Sequence, residues 1–86
     1  MTAPSADLRA AYARRESLLR EFEKAVNFRN AVAVTIADLL VDERAETRDG
    51  NTRYRRARED VSDAADRYTA AQKRVDELEA TEGVSA

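Results

Sequence analysis

The sequence predicts an all-α fold: an antiparallel two-helix hairpin of coiled-coil type, dimerising into a four-helix bundle. Three observations carry that expectation. Apolar residues recur at alternating three- and four-residue spacings along most of the 86-residue chain, which is the repeat of a helix seam. Two glycines and one proline leave little to interrupt a helix, and Ala, Leu, Glu and Arg are favourable inside one. In the stretch 28–41 ten of fourteen residues are apolar although 37% of the chain is charged, and so wide an apolar band is more than one partner helix covers.

The first helix is expected over about residues 5–48. Ser5 or Thr2 can cap it, Pro4 suits its first turn, and Asp7 complements the positive end of the helix dipole. Its seam reads Leu8, Tyr12, Arg15, Leu19, Phe22, Val26, Arg29, Ala33, Ile36 and Leu40. A second stripe lies alongside at Ala11, Leu18, Ala25, Phe28, Val32 and Leu39. The turn is placed at 49–52, where Gly50 can take the left-handed conformation and Asn51 or Thr52 can cap the next helix. Were Gly50-Asn51 to remain helical, the expected alternative is a single rod of about 75 residues that buries its seams only between chains.

The second helix is expected over about 52–81, with a loose tail at 82–86. Its seam is cleaner: Tyr54, Ala57, Val61, Ala64, Tyr68, Ala71, Val75 and Leu78, with the opposite face strongly charged. Folding back at Gly50 sets Leu40 against Val61, Ala33 against Tyr68, Val26 against Val75 and Phe22 against Leu78. In that register Leu8 and Tyr12 overhang the second helix.

A single small domain of this size buries a modest core and ordinarily needs a staple, a metal or a partner. The chain has no cysteine and no histidine, which removes disulfides, thiolate sites and the commonest metal ligand and acid/base group. Association is the remaining stabiliser. Ser5, Ser17, Ser62 and Ser85 have no base beside them and no glycine-rich phosphate loop occurs, so no catalytic residue, cofactor or metal is assigned and an enzyme is not expected. Glu59, Asp60, Asp63 and Asp66 read as a solvated face, since nothing supplies the ligand density of a calcium loop. A net charge of −2 gives no global attraction to nucleic acid or anionic membrane. With no signal-peptide pattern and no bilayer-length apolar run, a cytoplasmic protein is expected; its arginine and alanine bias suggests a bacterial or phage source.

The functional expectation is a non-enzymatic interaction or assembly protein of adaptor, scaffold or inhibitor type. It associates with itself as a homodimer, with another protein, or with both. The interface residues expected are those of 28–41 left without an intrachain partner: Phe28, Arg29, Val32, Val34, Leu39 and Val41. Arg29 either sets register as a polar group in an apolar layer or extends its guanidinium to the edge of the bundle. The alternative is nucleic-acid binding through Arg53, Tyr54, Arg55, Arg56 and Arg58, because arginine forks suit phosphates and tyrosine stacks on bases. Against it stand Asp38, Asp42, Glu43, Glu46 and Asp49, which the Gly50 turn would bring alongside these arginines.

In size and hairpin layout the chain resembles the small secreted WXG100 proteins of actinobacteria. Their Trp-x-Gly turn is replaced here by Asp49-Gly50-Asn51, and Tyr68 is followed four residues on by Gln72 where their secretion signal has an acid. The run 34–40 looks like the first helix of a DNA-binding helix-turn-helix, but its connection to Arg53–Arg56 is longer than that motif allows. No family is assigned on either.

Overall fold

The computed structural model describes residues 3–41 and 47–83, with side chains described for 3–37 and 52–83. The described residues form two helices of equal length, α1 (Ala6–Val41) and α2 (Thr47–Glu82), each of 36 residues. They pack on one another along a rod of 63 × 17 × 16 Å. Each helix alone would run about 54 Å at the usual rise, so the two overlap for nearly their whole length.

Cross-helix hydrogen bonds establish the direction and register. Ser5 pairs with Glu82, Tyr12 with Glu79 and Arg15 with Gln72, so the helices are antiparallel and paired residue numbers total 87 to 91. The register expected from a turn at Gly50 totals about 101 and is not the one observed. Gly50 and Asn51 lie in the opening turns of α2, and residues 42–46 separate the helices. Glycine costs about 1 kcal/mol inside a helix. Two helices of matched length leave no overhang, and the gain is visible at Leu8, which is fully buried instead of projecting past α2. The single-rod alternative also falls: Gly50-Asn51 is helical, yet the chain folds back before it.

On α2 the expected seam is the observed one. Ala57, Ala64 and Val75 are buried, and Tyr54, Val61, Tyr68, Ala71 and Leu78 are half-buried. On α1 half the seam shifts by one position. Leu8, Arg15, Phe22, Arg29 and Ile36 face α2 as expected, but Ala11, Leu18, Ala25 and Val32 alternate with them, while Ala33 is exposed. The pattern along α1 is thus three-four, and Tyr12, Leu19 and Val26 flank the seam half-buried. In the observed register Val32 lies level with Ala57 and Ala25 with Ala64, so small residues on α2 let the two backbones come close there.

Both outer ends are capped. The Ser5 hydroxyl accepts the Leu8 amide at 3.1 Å, and the Arg9 amide reaches the Ser5 carbonyl at 3.0 Å, which makes Ser5 the N-cap of α1. Glu82 supplies what a glutamate three residues into the helix does in a capping box: its carboxylate accepts the Ser5 amide at 3.0 Å and the Ser5 hydroxyl at 2.6 Å. Glu82, expected in the loose tail, therefore joins the two helices. α2 ends on Gly83, whose φ of 70° is the left-handed conformation that closes helices at glycine.

Candidate interaction surface

The apolar stretch 28–41 enters the fold as the C-terminal part of α1, and the helix divides it by face. Val32 points into the seam and is 7% exposed, so it belongs to the hairpin core and not to an outer surface. Phe28 and Val34 do face solvent, at 54% and 61% exposure. Six residues apart, they stand about 120° from one another around the helix, with exposed Ala31 between them. The side chains of Leu39 and Val41 lie outside the described residues.

Arg29 sits on the seam half-buried, but its guanidinium reaches outward. Nε and Nη2 donate to Asn30 Oδ1 at 3.4 and 3.2 Å, so the stem covers apolar surface while the charge stays at the edge. Arg15 resolves the same problem by a different route. Its guanidinium lies 5.2 Å from the Tyr12 ring centroid and donates to Gln72 Oε1 at 3.3 Å, and Gln72 in turn donates to Asp76 at 2.9 Å. Partial burial and then the hydrogen bond to Glu79 push the Tyr12 phenol above the usual tyrosine range. Glu82 is held below the usual carboxylate range, first by the Ser5 hydroxyl and then by its amide. All the cross-helix hydrogen bonds described lie at this open end of the hairpin.

The arginine cluster occupies the closed half of α2. Arg53, Arg55, Arg56 and Arg58 are exposed, Tyr54 is half-buried, and the Arg58 guanidinium lies 6.0 Å from the Tyr54 ring centroid. The shifted register changes their surroundings. Residues 53–58 stand level with about 31–36 of α1, an uncharged run, and not with the acids from Asp38 onward. Side chains of those five acids fall outside the described residues. Among the described residues the ion pair found is Arg74–Glu77, at 4.0 Å. A shallow depression between Arg55, Arg58, Glu59 and Ser62 is formed by α2 alone, and it is open to solvent. Glu59, Asp60, Asp63 and Asp66 are exposed, and no group of carboxylates able to hold a metal occurs among the described residues. No described helix is long and apolar enough to cross a membrane.

The two flanks of the helix pair differ in character, which the sequence reading missed. On one, Tyr12, Leu19 and Val26 of α1 run beside Ala65, Gln72 and Glu79 of α2, all half-buried. On the other, exposed Arg14, Glu21 and Phe28 run beside exposed Asp60, Arg67 and Arg74. The signal was present in the two adjacent apolar stripes of α1, whose division between seam and flank depends on how the helix is rotated. No protein-family model, no curated protein and no solved structure matches this chain.

Proposed function

We propose that the chain is a non-enzymatic helical assembly protein, of adaptor, scaffold or inhibitor type, that works by associating with itself and with a protein partner. The observation that carries the reading is the exposure of Phe28 and Val34 on a hairpin whose core is only one seam thick. Large apolar side chains concentrated on one segment of a thin fold favour an interface over open solvent. Phe28 and Val34, with Ala31 between them and Arg29 at their edge, form the part of 28–41 available to a partner.

Sedimentation equilibrium at micromolar concentration tests self-association: a mass twice that of one chain is expected, and a monomer at every concentration overturns it. For the protein partner, capture from the source cell by the wild-type chain should be lost with Phe28→Glu combined with Val34→Glu. Equal capture by both would remove this segment from the interface.

A second reading is supported by the register. Arg53, Arg55, Arg56 and Arg58 are exposed and stand level with the uncharged run 31–36 of α1, which favours phosphate binding, while Glu59 and Asp60 one turn on oppose it. Nucleic-acid binding through these arginines and Tyr54 would be salt-sensitive and lost on Arg55→Glu with Arg56→Glu. Absence of any such binding at low salt would dismiss it.

A further inference from the structure

The observed register joins two features that lie far apart in the sequence. On α1 every exposed residue from Asn27 to Ala37 is uncharged, and the large exposed hydrophobics among the described residues, Phe28 and Val34, both lie there. That strip runs for about three turns, roughly 15 Å of helix. Level with its 31–36 part stand the exposed arginines of α2. The helical repeat puts Arg53 and Arg56 on one side of the Tyr54–Ala57 seam, on the flank that carries Phe28, and Arg55 and Arg58 on the other. Cations therefore border the apolar strip on both sides. Arg29 holds a further guanidinium at its edge, on Asn30. Together 27–37 and 52–58 contain five arginines and no acid in a chain of net charge −2, so this section is opposite in sign to the whole. In sequence it is bounded by Asp38 on α1 and by Glu59 and Asp60 on α2, which confines the positive charge to about two turns.

We infer that this composite face takes an acidic amphipathic helix of a protein partner, its apolar residues on Phe28, Ala31 and Val34 and its carboxylates beside the arginines. This rests on the protein partner proposed above and names its chemistry. Charge complementarity selects the occupant. A nucleic acid would engage the arginines and leave Phe28 and Val34 in water, and an uncharged apolar helix would draw nothing from the arginines. A helix apolar on one face and acidic beside it uses both, with the charges steering its approach and the apolar contact holding it.

Selection of a phage-displayed random peptide library on the full wild-type chain tests this, with the Phe28→Ser, Val34→Ser double variant as counter-selection. Retained peptides should carry apolar residues three and four apart with Asp or Glu beside them. Synthesised, they should bind more weakly as salt rises, and about tenfold more weakly when Arg53→Gln is combined with Arg58→Gln. Both arginines are exposed, so helicity should persist; if it does not, the salt dependence of the wild-type chain decides. Peptides that need Phe28 and Val34 but are uncharged or basic, or that bind the arginine variant equally, would overturn the acidic partner and leave the interface at Phe28 and Val34 standing. If no retained peptide depends on Phe28 and Val34, both fall. A single-stranded DNA oligonucleotide that displaces the peptides and still binds the Phe28→Ser, Val34→Ser variant would overturn the inference in favour of nucleic acid.

Discussion

Ser5 and Glu82, 77 positions apart, share two hydrogen bonds that hold the start of one helix to the end of the other. The carboxylate does for α1 what a residue of its own first turn would ordinarily do, so the last residue of α2 braces the first turn of α1. Ser5→Ala should cost about 1 kcal/mol, the usual value of a serine cap. Urea unfolding followed by circular dichroism measures it, and an unchanged midpoint would mean that Ser5 does not cap.

The same pair makes the open end pH-sensitive. Glu82 has its folded pKa lowered by the Ser5 hydroxyl and amide. Its contribution is therefore complete above the ordinary glutamate value, about 4.3, and is lost as pH falls through the depressed folded value. Amide exchange at Leu8 and Arg9 should accelerate over that lower window, and Glu82→Ala should abolish the transition. Exchange that rises equally in both proteins would place its cause elsewhere.

Tyr12 works in the opposite direction. Partial burial and its hydrogen bond to Glu79 raise the phenol. Stability linked to it is complete below the ordinary tyrosine value, about 10, and is lost as pH rises through the elevated folded value. With Tyr54→Phe and Tyr68→Phe in the background, absorbance titration should place Tyr12 above a free tyrosine. Adding Glu79→Gln should bring it part of the way back.

Val32 and Val34 are two residues apart and should behave as different kinds of position. Val32→Ala opens the seam opposite Ala57 and should cost about 2 kcal/mol, two methyl groups plus the space they leave. Val34→Ala, at a site 61% exposed, should fall within about 0.5 kcal/mol of wild type. Denaturant midpoints separate them, and equal costs would mean that α1 is rotated from the orientation described.

Register can be read directly. Arg14 and Arg74 stand level in the observed hairpin, whereas a fold-back at Gly50 would displace them by about 20 Å along the axis. Paired spin labels at these two exposed positions should report the short separation.

Much of α2 was legible because its pattern admits one solution. Charged residues fill every face but one, so Tyr54, Ala57, Val61, Ala64, Tyr68, Ala71, Val75 and Leu78 could only be the seam. α1 is apolar on both sides of Leu8, Arg15, Phe22 and Arg29, and period alone cannot say whether Leu18 or Leu19, Val32 or Ala33, completes the layer. That choice depends on the partner helix, and so does the turn. Gly50-Asn51 is the strongest local break signal in the interior, but a modest local penalty yields to the overlap of two equal helices. The interface set was divided for the same reason: Phe28 and Val34 are exposed, while rotation of α1 draws Val32 inside.

The bracing of α1's first turn by Glu82 also comes late in time. A ribosome adds roughly 5 to 20 residues per second, so the chain carries an unfinished helix start for about 4 to 15 s before its closing carboxylate exists. Until then Ser5 lacks its two bonds to Glu82, and the emerging N-terminal segment is open to a chaperone or a protease.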